Sequence, residues 1–314
     1  MRIFAPTKIV FLDAATLGAT SLEPIVRLGE LVTWPTSTPE EALERVRDAE
    51  ILIVNKVKVT EALLNAAPKL RLICEAATGV NNIDVAAAER RGIPVRNVAG
   101  YSTESVVQVT FTLLLSLVGK PERYDAEVKD LTYSRSGLFT DVRTPFSELD
   151  GKTIGIVGMG TIGSRVAAVA TAFGMKVIYY STSGTSHCKT YPSVSLETLL
   201  RESDIISIHA PLNARTNGMI RAAELRQMKP TALIINLGRG GIVDEADLAD
   251  AISKGVIAGA GLDVYTAEPL PEDHPLLHTA HPERLRFTPH IGWTSAEALV
   301  RLVEGIADNI RKPF

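Results

Sequence analysis

Aromatic residues make up only 5% of this 314-residue chain, cysteine occurs twice, and neither charge is in excess, with 33 lysines and arginines against 36 aspartates and glutamates. A net charge of −3 excludes a general basic field for nucleic acid or an anionic membrane and leaves small molecules as the expected partners. Cys74 and Cys188 offer neither a disulfide framework nor metal-ligand spacing, so both are expected as structural thiols in a reducing compartment, and no metal site is expected. Long apolar runs are also missing. The longest, residues 106–118, is too short and too interrupted by Gln and Thr to cross a bilayer, and the opening MRIFAPTKIVFLDAAT lacks the apolar centre of a signal peptide. A soluble, cytoplasmic protein is expected.

One further absence is local: no Asp or Glu occurs between Asp150 and Glu197. Inside that acid-free stretch lies GIVGMGTIG, residues 155–163, in which β-formers run into a G-x-G-x-x-G of Gly158, Gly160 and Gly163. Gly158 suits a tight turn, Gly160 lets backbone amides approach a pyrophosphate, and Gly163 lets the following helix lie close to the sheet, its positive end facing the phosphates. The alanine-rich helix that follows and the strand KVIYY complete the βαβ unit this fingerprint requires. An acid that would hold the adenosine ribose is expected at the end of that second strand; STSG, residues 181–184, stands there instead. It reads either as an ordinary turn or as a hydroxyl-rich pocket that tolerates a ribose 2′-phosphate. The nearest cations in the sequence are His187 and Lys189, so phosphate binding would rest on hydroxyls and amides and discrimination would be modest.

Strand-like runs alternate with amphipathic segments along the whole chain: KIVFL, LVTW, ILIV, LRLIC and IPVRNV before the fingerprint, then DIISIHAPL, ALIINLG and IAGAGLDVY after it. The pattern predicts two parallel α/β sheets, the second a doubly wound Rossmann-type sheet starting near Ile154, with a long helix from Ser102 to Gly119 joining them. Thr38-Pro39-Glu40-Glu41 predicts a helix start with a capping box, and Thr294 with Glu297 predicts another.

Past the fingerprint, Arg239 in NLGRGGIVDE, Asp263, Glu268 and His274 in GLDVYTAEPLPEDHP, and His290 in FTPHIGWTSAEA each have an ordinary reading as loop or surface residues. Arg239 also follows a buried strand, where its planar fork would suit a carboxylate. Together with EAATGVNNIDVAAAERRGIPVRNVAGYSTESVVQ and HAPLNARTNGMI, in this order and spacing, these segments resemble the D-isomer-specific 2-hydroxyacid dehydrogenase family over nearly the whole chain. TGVNNID, GYSTESV and Trp293 resemble its hydroxypyruvate and glyoxylate reductase, or glycerate dehydrogenase, branch.

The resemblance implies a smaller flavodoxin-like α/β substrate domain of residues 1–98 and 289–314 around a dinucleotide-binding domain of residues 99–288. It further implies interconversion of a small 2-keto acid and its D-2-hydroxy acid with NAD or NADP, and a homodimer formed through the cofactor domains with the helix from Ser102 between them. Arg239 would hold the substrate carboxylate and carbonyl oxygen, His290 would be the acid/base, and Glu268 would hydrogen-bond the far side of its imidazole. Gly158, Gly160, Thr161, Ile162, Gly163, Ser181, Thr182, Ser183, Thr110, Pro211, Thr216, Leu237, Gly238, Asp263 and Gly292 would line the cofactor site, Asp263 at the nicotinamide amide. Asn55, Lys56, Thr78, Gly79, Val80 and Trp293 would join Arg239 around the substrate.

The implied chemistry is coherent, because hydride delivery to C2 requires a proton for the carbonyl oxygen and a cation to polarise it, and a carboxylate behind the imidazole favours its protonated form. Two departures stand out: the missing ribose acid, and Val109 where the reductase branch commonly has histidine. Two rivals share the scaffold. Formate dehydrogenases carry glutamine in place of Glu268, which leaves phosphite oxidation, while a dinucleotide-sensing corepressor would retain all three residues without turnover.

Overall fold

The computed structural model describes residues 6–143 and 145–314. Two compact units emerge, Met1–Ser102 with Trp293–Phe314, and Thr103–Gly292. Each is built on its own parallel sheet with helices on both faces.

In the first unit β1 (Lys8–Phe11), β2 (Glu30–Thr33), β3 (Ile51–Val54), β4 (Leu72–Glu75) and β5 (Val95–Arg96) lie in the order β2-β1-β3-β4-β5, all parallel. This is the flavodoxin-like order, in which ligands meet the sheet outside the carboxyl ends of the strands at the β1/β3 switch. Because successive side chains alternate, the short strands feed two cores: Ile9, Phe11, Ile51, Ile53 and Leu72 on one face, Val10, Leu12, Leu52, Val54 and Ile73 on the other. The first face is covered by the helix Ala296–Arg311, whose Ala298, Leu302, Ile306 and Ile310 recur every four residues. The Thr38 capping box forms as the sequence predicts, with Thr38 N–H donating to Glu41 Oε2 at 2.9 Å and Glu41 N–H to Thr38 Oγ1 at 3.3 Å. The box expected at Thr294 does not form. Ser295 is the N-cap, accepting Ala298 N–H at 3.2 Å, because the helix begins at Ala296 and the hydroxyl that reaches its third amide is one residue further on.

In the second unit β6 (Thr153–Val157), β7 (Lys176–Tyr180), β8 (Ile205–Ile208), β9 (Leu233–Asn236), β10 (Gly259–Leu262) and β11 (Leu285–Phe287) run parallel in the order β11-β10-β9-β8-β6-β7. The chain leaves β6 toward β7 and returns to β8 on the other side, a topological switch at the fingerprint strand. An isolated bridge between Tyr179 and Ser193 continues the sheet beyond β7. The helix Thr103–Gly119 buries Val106, Val107, Phe111, Leu113 and Leu114 in the core of this unit, against Ile154, Ile156 and Val166. Its exposed stripe is limited to Glu104, Gln108, Thr112 and Leu115. Exposed apolar side chains gather further on, at Val128, Leu131, Leu138, Phe139, Val142 and Phe146. No described helix is long and apolar enough to cross a membrane.

Candidate active site

The glycine fingerprint forms a cradle whose geometry fits a dinucleotide. Gly158 has φ +92° and sits so close to the β8–loop backbone that a Cβ would lie 3.0 Å from Ala210 N and Cα. A Cβ on Gly163 would run into the Gly158 carbonyl, whereas one on Gly160 would meet nothing within 4 Å, so the side of the turn that would receive a pyrophosphate is open. The helix Thr161–Ala172 then starts with no side-chain cap and no acid in its first turn, leaving its amides for an anion. Ile162 packs against the core beside it.

The other expected cofactor residues follow the carboxyl ends of the same sheet: Ser181, Thr182 and Ser183 after β7, Pro211 and Thr216 after β8, Leu237 and Gly238 after β9, Asp263 after β10 and Gly292 after β11. Thr216, and the remaining expected residue Thr110 in the helix Thr103–Gly119, spend their hydroxyl protons inside the protein. Thr216 is 0% exposed, its hydroxyl donating to Pro211 O at 2.6 Å and accepting Asn213 N–H at 2.9 Å, so it shapes the loop rather than presenting a free hydroxyl. Thr110, 1% exposed, donates to Val106 O within its own helix at 2.8 Å.

Three loops converge on the acid/base candidates. His290 Nδ1 donates to Glu268 Oε2 at 2.7 Å, while Glu268 Oε1 accepts Tyr265 N–H at 3.0 Å. That fixes the imidazole by one nitrogen and leaves Nε2 for a reacting group. His290 has φ +53°, a left-handed conformation that costs a non-glycine residue free energy and persists where the surroundings hold it. The buried Asp263 supplies much of that hold: Oδ1 accepts Thr288 Oγ1 at 2.7 Å and Ile291 N–H at 2.8 Å, and Oδ2 accepts Gly292 N–H at 2.8 Å. Burial pushes the Asp263 carboxyl above the usual range against the pull of those donors.

Arg239 lies on the neighbouring loop, half-buried, with Nη1 donating to Gly238 O at 2.8 Å. Asn236 staples that loop, accepting Gly238 N–H at 3.0 Å and donating to Arg239 O at 3.0 Å. A Cβ on Gly240 would run into the Tyr265 carbonyl and Thr266 N, so the arginine loop stacks on the peptide that starts the Glu268 turn. A second pair, absent from the sequence reading, locks the same turn. Glu245 Oε1 accepts Thr266 N–H at 2.7 Å and Thr266 Oγ1 at 2.9 Å, and its Oε2 faces His274 Nε2 at 2.9 Å. His274 is thus no surface histidine: its side chain is 13% exposed and committed to structure.

In the other unit, Asn55 and Lys56 follow β3 and the Thr78–Gly79–Val80 loop follows β4, both at carboxyl ends. The buried Asp13, after β1, accepts the backbone N–H groups of Asn55 (3.0 Å), Lys56 and Val57 (2.9 Å), fixing the loop at the switch point. Lys56 Nζ lies 5.3 Å from the Trp293 ring centroid. Glu75, fully buried at the end of β4, accepts Asn82 Nδ2 at 2.9 Å while Asn82 also donates to Val57 O at 3.1 Å, tying the two loops together. Burial lifts the Glu75 carboxyl to about 8. Asp13 and Glu75 escaped the sequence reading, and Asn82 entered it only as part of TGVNNID; the only signal for the two acids was their place at strand ends.

A glycine cradle at the switch of a doubly wound sheet, with an arginine and a histidine–carboxylate pair on adjoining loops, defines a nicotinamide-dinucleotide oxidoreductase. The chain belongs to the D-isomer-specific 2-hydroxyacid dehydrogenases, whose NAD-binding domain matches residues 111–292. It is 38% identical to a glycerate dehydrogenase of Methylorubrum extorquens, over 96% of this chain and 95% of the relative. A hydroxypyruvate reductase of Blautia hydrogenotrophica is 34% identical over 97% and 96%. Among solved structures, an acyclic imino acid reductase in complex with NADPH and D-Arg superposes with a TM-score of 0.86 at 31% identity, covering 97% of this chain and 96% of that one. The chain is therefore an NAD(P)-dependent oxidoreductase of the D-2-hydroxyacid dehydrogenase family.

Proposed function

We propose that the chain reduces a short 2-keto acid, glyoxylate or hydroxypyruvate in chemistry, to the D-2-hydroxy acid, with His290 as the proton donor. The observation that carries this reading is the His290–Glu268 contact at 2.7 Å, on a loop held by three donors to Asp263. Bound NADH or NADPH supplies the hydride for C2. Arg239 binds the substrate carboxylate and polarises the carbonyl, as its rigid fork and its place beside the Glu268 turn support. His290 Nε2 passes its proton to the carbonyl oxygen as negative charge develops there, and Glu268, on Nδ1, keeps the ring oriented. Asp263 holds the His290 loop; the same carboxylate is assigned to the nicotinamide amide through its remaining lone pairs.

Gly158, Gly160, Thr161 and Gly163 are assigned to the pyrophosphate, and Ser181 to Ser183 to the adenosine ribose. Substrate contact by Asn55, Lys56, the Thr78–Gly79–Val80 loop and Trp293 is assigned on motif match. A homodimer through the cofactor domains belongs to the same reading; the exposed apolar residues between Val128 and Phe146 support it better than the largely buried helix Thr103–Gly119. The test is a panel of 2-keto acids with NADPH and NADH. Turnover is expected with glyoxylate or hydroxypyruvate. No turnover with any 2-keto acid, alongside intact dinucleotide binding, would favour a dinucleotide-sensing protein instead.

A further inference from the structure

The end of β7 sits beside the fingerprint turn, since Gly158 N–H donates to Tyr180 O at 3.0 Å, so the residues after Tyr180 occupy the position of the adenosine ribose. Ser181 there already donates to Thr185 O at 2.7 Å. The nearest basic residues in the sequence are on the same loop, but the fold brings in another cation from 32 positions away. Arg215, in the loop after β8, donates Nη1 to Ser183 O at 3.0 Å, and a Cβ on Gly184 would lie 3.6 Å from that nitrogen. The hydroxyls and amides of this loop thus have a guanidinium beside them.

We propose that Arg215 makes the end of β7 a 2′-phosphate site, so that the enzyme binds NADP(H) in preference to NAD(H). Three observations converge on it. The strand end carries no carboxylate to take the ribose 2′-hydroxyl or to repel a phosphate, because the whole stretch from 151 to 196 is free of acid. Arg215 has no ion-pair partner among the described residues, its side chain is exposed, and one N–H of its five is spent on Ser183 O, which anchors the guanidinium at the loop and leaves the rest of the fork free for phosphate oxygens. Ser181 and Ser183 spend their hydroxyl protons on Thr185 O, at 2.7 and 3.2 Å, which shapes the loop, while the Thr182 hydroxyl and the exposed Lys189 add a donor and charge of the right sign on it. A dianionic phosphate on a planar guanidinium is the pairing that separates the two dinucleotides, which are otherwise identical.

The inference rests on dinucleotide binding at the Gly158 turn and not on the identity of the keto acid, so it is tested without substrate. Wild-type protein and Arg215→Ala are titrated at equilibrium with NADPH and NADH by nucleotide fluorescence, and with 2′,5′-ADP and AMP by calorimetry. Wild type should bind NADPH about tenfold or more tighter than NADH. Arg215→Ala should lose about tenfold or more in affinity for NADPH and 2′,5′-ADP, keep its NADH affinity within about twofold, and show a flatter salt dependence for NADPH. Arg215→Lys should fall between the two. Equal or tighter binding of NADH by wild type would overturn the proposal. Equal losses for both nucleotides in Arg215→Ala would also overturn it, because the arginine would then only brace the Ser183 loop.

Discussion

Replacing Glu245 with Gln tests whether the buried pair behind the active site sets the position of Glu268. Leu276 N–H points at His274 Nδ1 at 3.3 Å, so Nδ1 is the acceptor and Nε2 carries the hydrogen that Glu245 Oε2 accepts at 2.9 Å. On the other side Glu245 Oε1 takes two donors from Thr266. A glutamine has one acceptor oxygen for these two places. Whichever way its amide turns, an NH2 meets either Thr266 N–H or His274 Nε2–H, and switching the tautomer only moves the clash to Leu276. One buried donor left unpaired costs about 1–3 kcal/mol. At about 2–4 °C per kcal/mol for a unit of this size, the melting temperature should fall by roughly 2–12 °C. Turnover should fall as well, because Thr266 adjoins Tyr265, whose N–H fixes Glu268. Scanning fluorimetry and kcat measure both. His274→Gln keeps a donor for Glu245 and His274→Asn keeps only the acceptor for Leu276, so Gln should retain more activity than Asn. Wild-type stability and kcat in Glu245→Gln, or Asn outperforming Gln, would refute the reasoning.

Glu75 gives a pH signature of stability. Its carboxyl titrates near 4.5 in the unfolded chain and near 8 when folded, so the folded state holds a proton that the unfolded state has lost. Stability from this site is undiminished below the lower value and declines by about 1.4 kcal/mol per pH unit as pH rises through the window. Glu75→Gln, which does not titrate and can still accept from Asn82, should therefore raise the melting temperature more at pH 8 than at pH 5; equal shifts at both would remove Glu75 as the cause. Arg239→Lys keeps the charge but not the fork, and kcat/KM for a 2-keto acid should drop by about tenfold to a hundredfold or more; wild-type kcat/KM would make Arg239 a structural loop residue. Ser181→Asp should swing the kcat/KM ratio toward NADH by about tenfold or more, which an unchanged ratio would contradict. Light scattering at micromolar concentration should give twice the monomer mass, and a monomer would end the dimer reading.

Much of this was legible in the sequence, for identifiable reasons. The two sheets follow from apolar runs such as ILIV and LICE, which are buried in full because a parallel sheet is covered on both faces. The cradle follows from glycines whose spacing is itself the geometry. Helix ends were legible only to within a residue, since at Thr294-Ser295 two adjacent hydroxyls are both suited to capping and the helix starts after the second. What stayed hidden was long-range pairing. Nothing near Ser183 advertises Arg215, and Glu245 lies 29 positions from His274, so each reads locally as a solvated loop residue until the fold joins them.

The proton-donor role of His290 is the central claim, and single-turnover kinetics of His290→Gln addresses it most directly. Enzyme saturated with reduced dinucleotide is mixed with glyoxylate or hydroxypyruvate and hydride transfer is followed by loss of nicotinamide absorbance, with cofactor affinity measured in parallel. The account predicts a rate lower by about 10²- to 10⁴-fold, the usual worth of general acid catalysis, with dinucleotide affinity unchanged. A rate within a few-fold of wild type would contradict it and move the proton to another group.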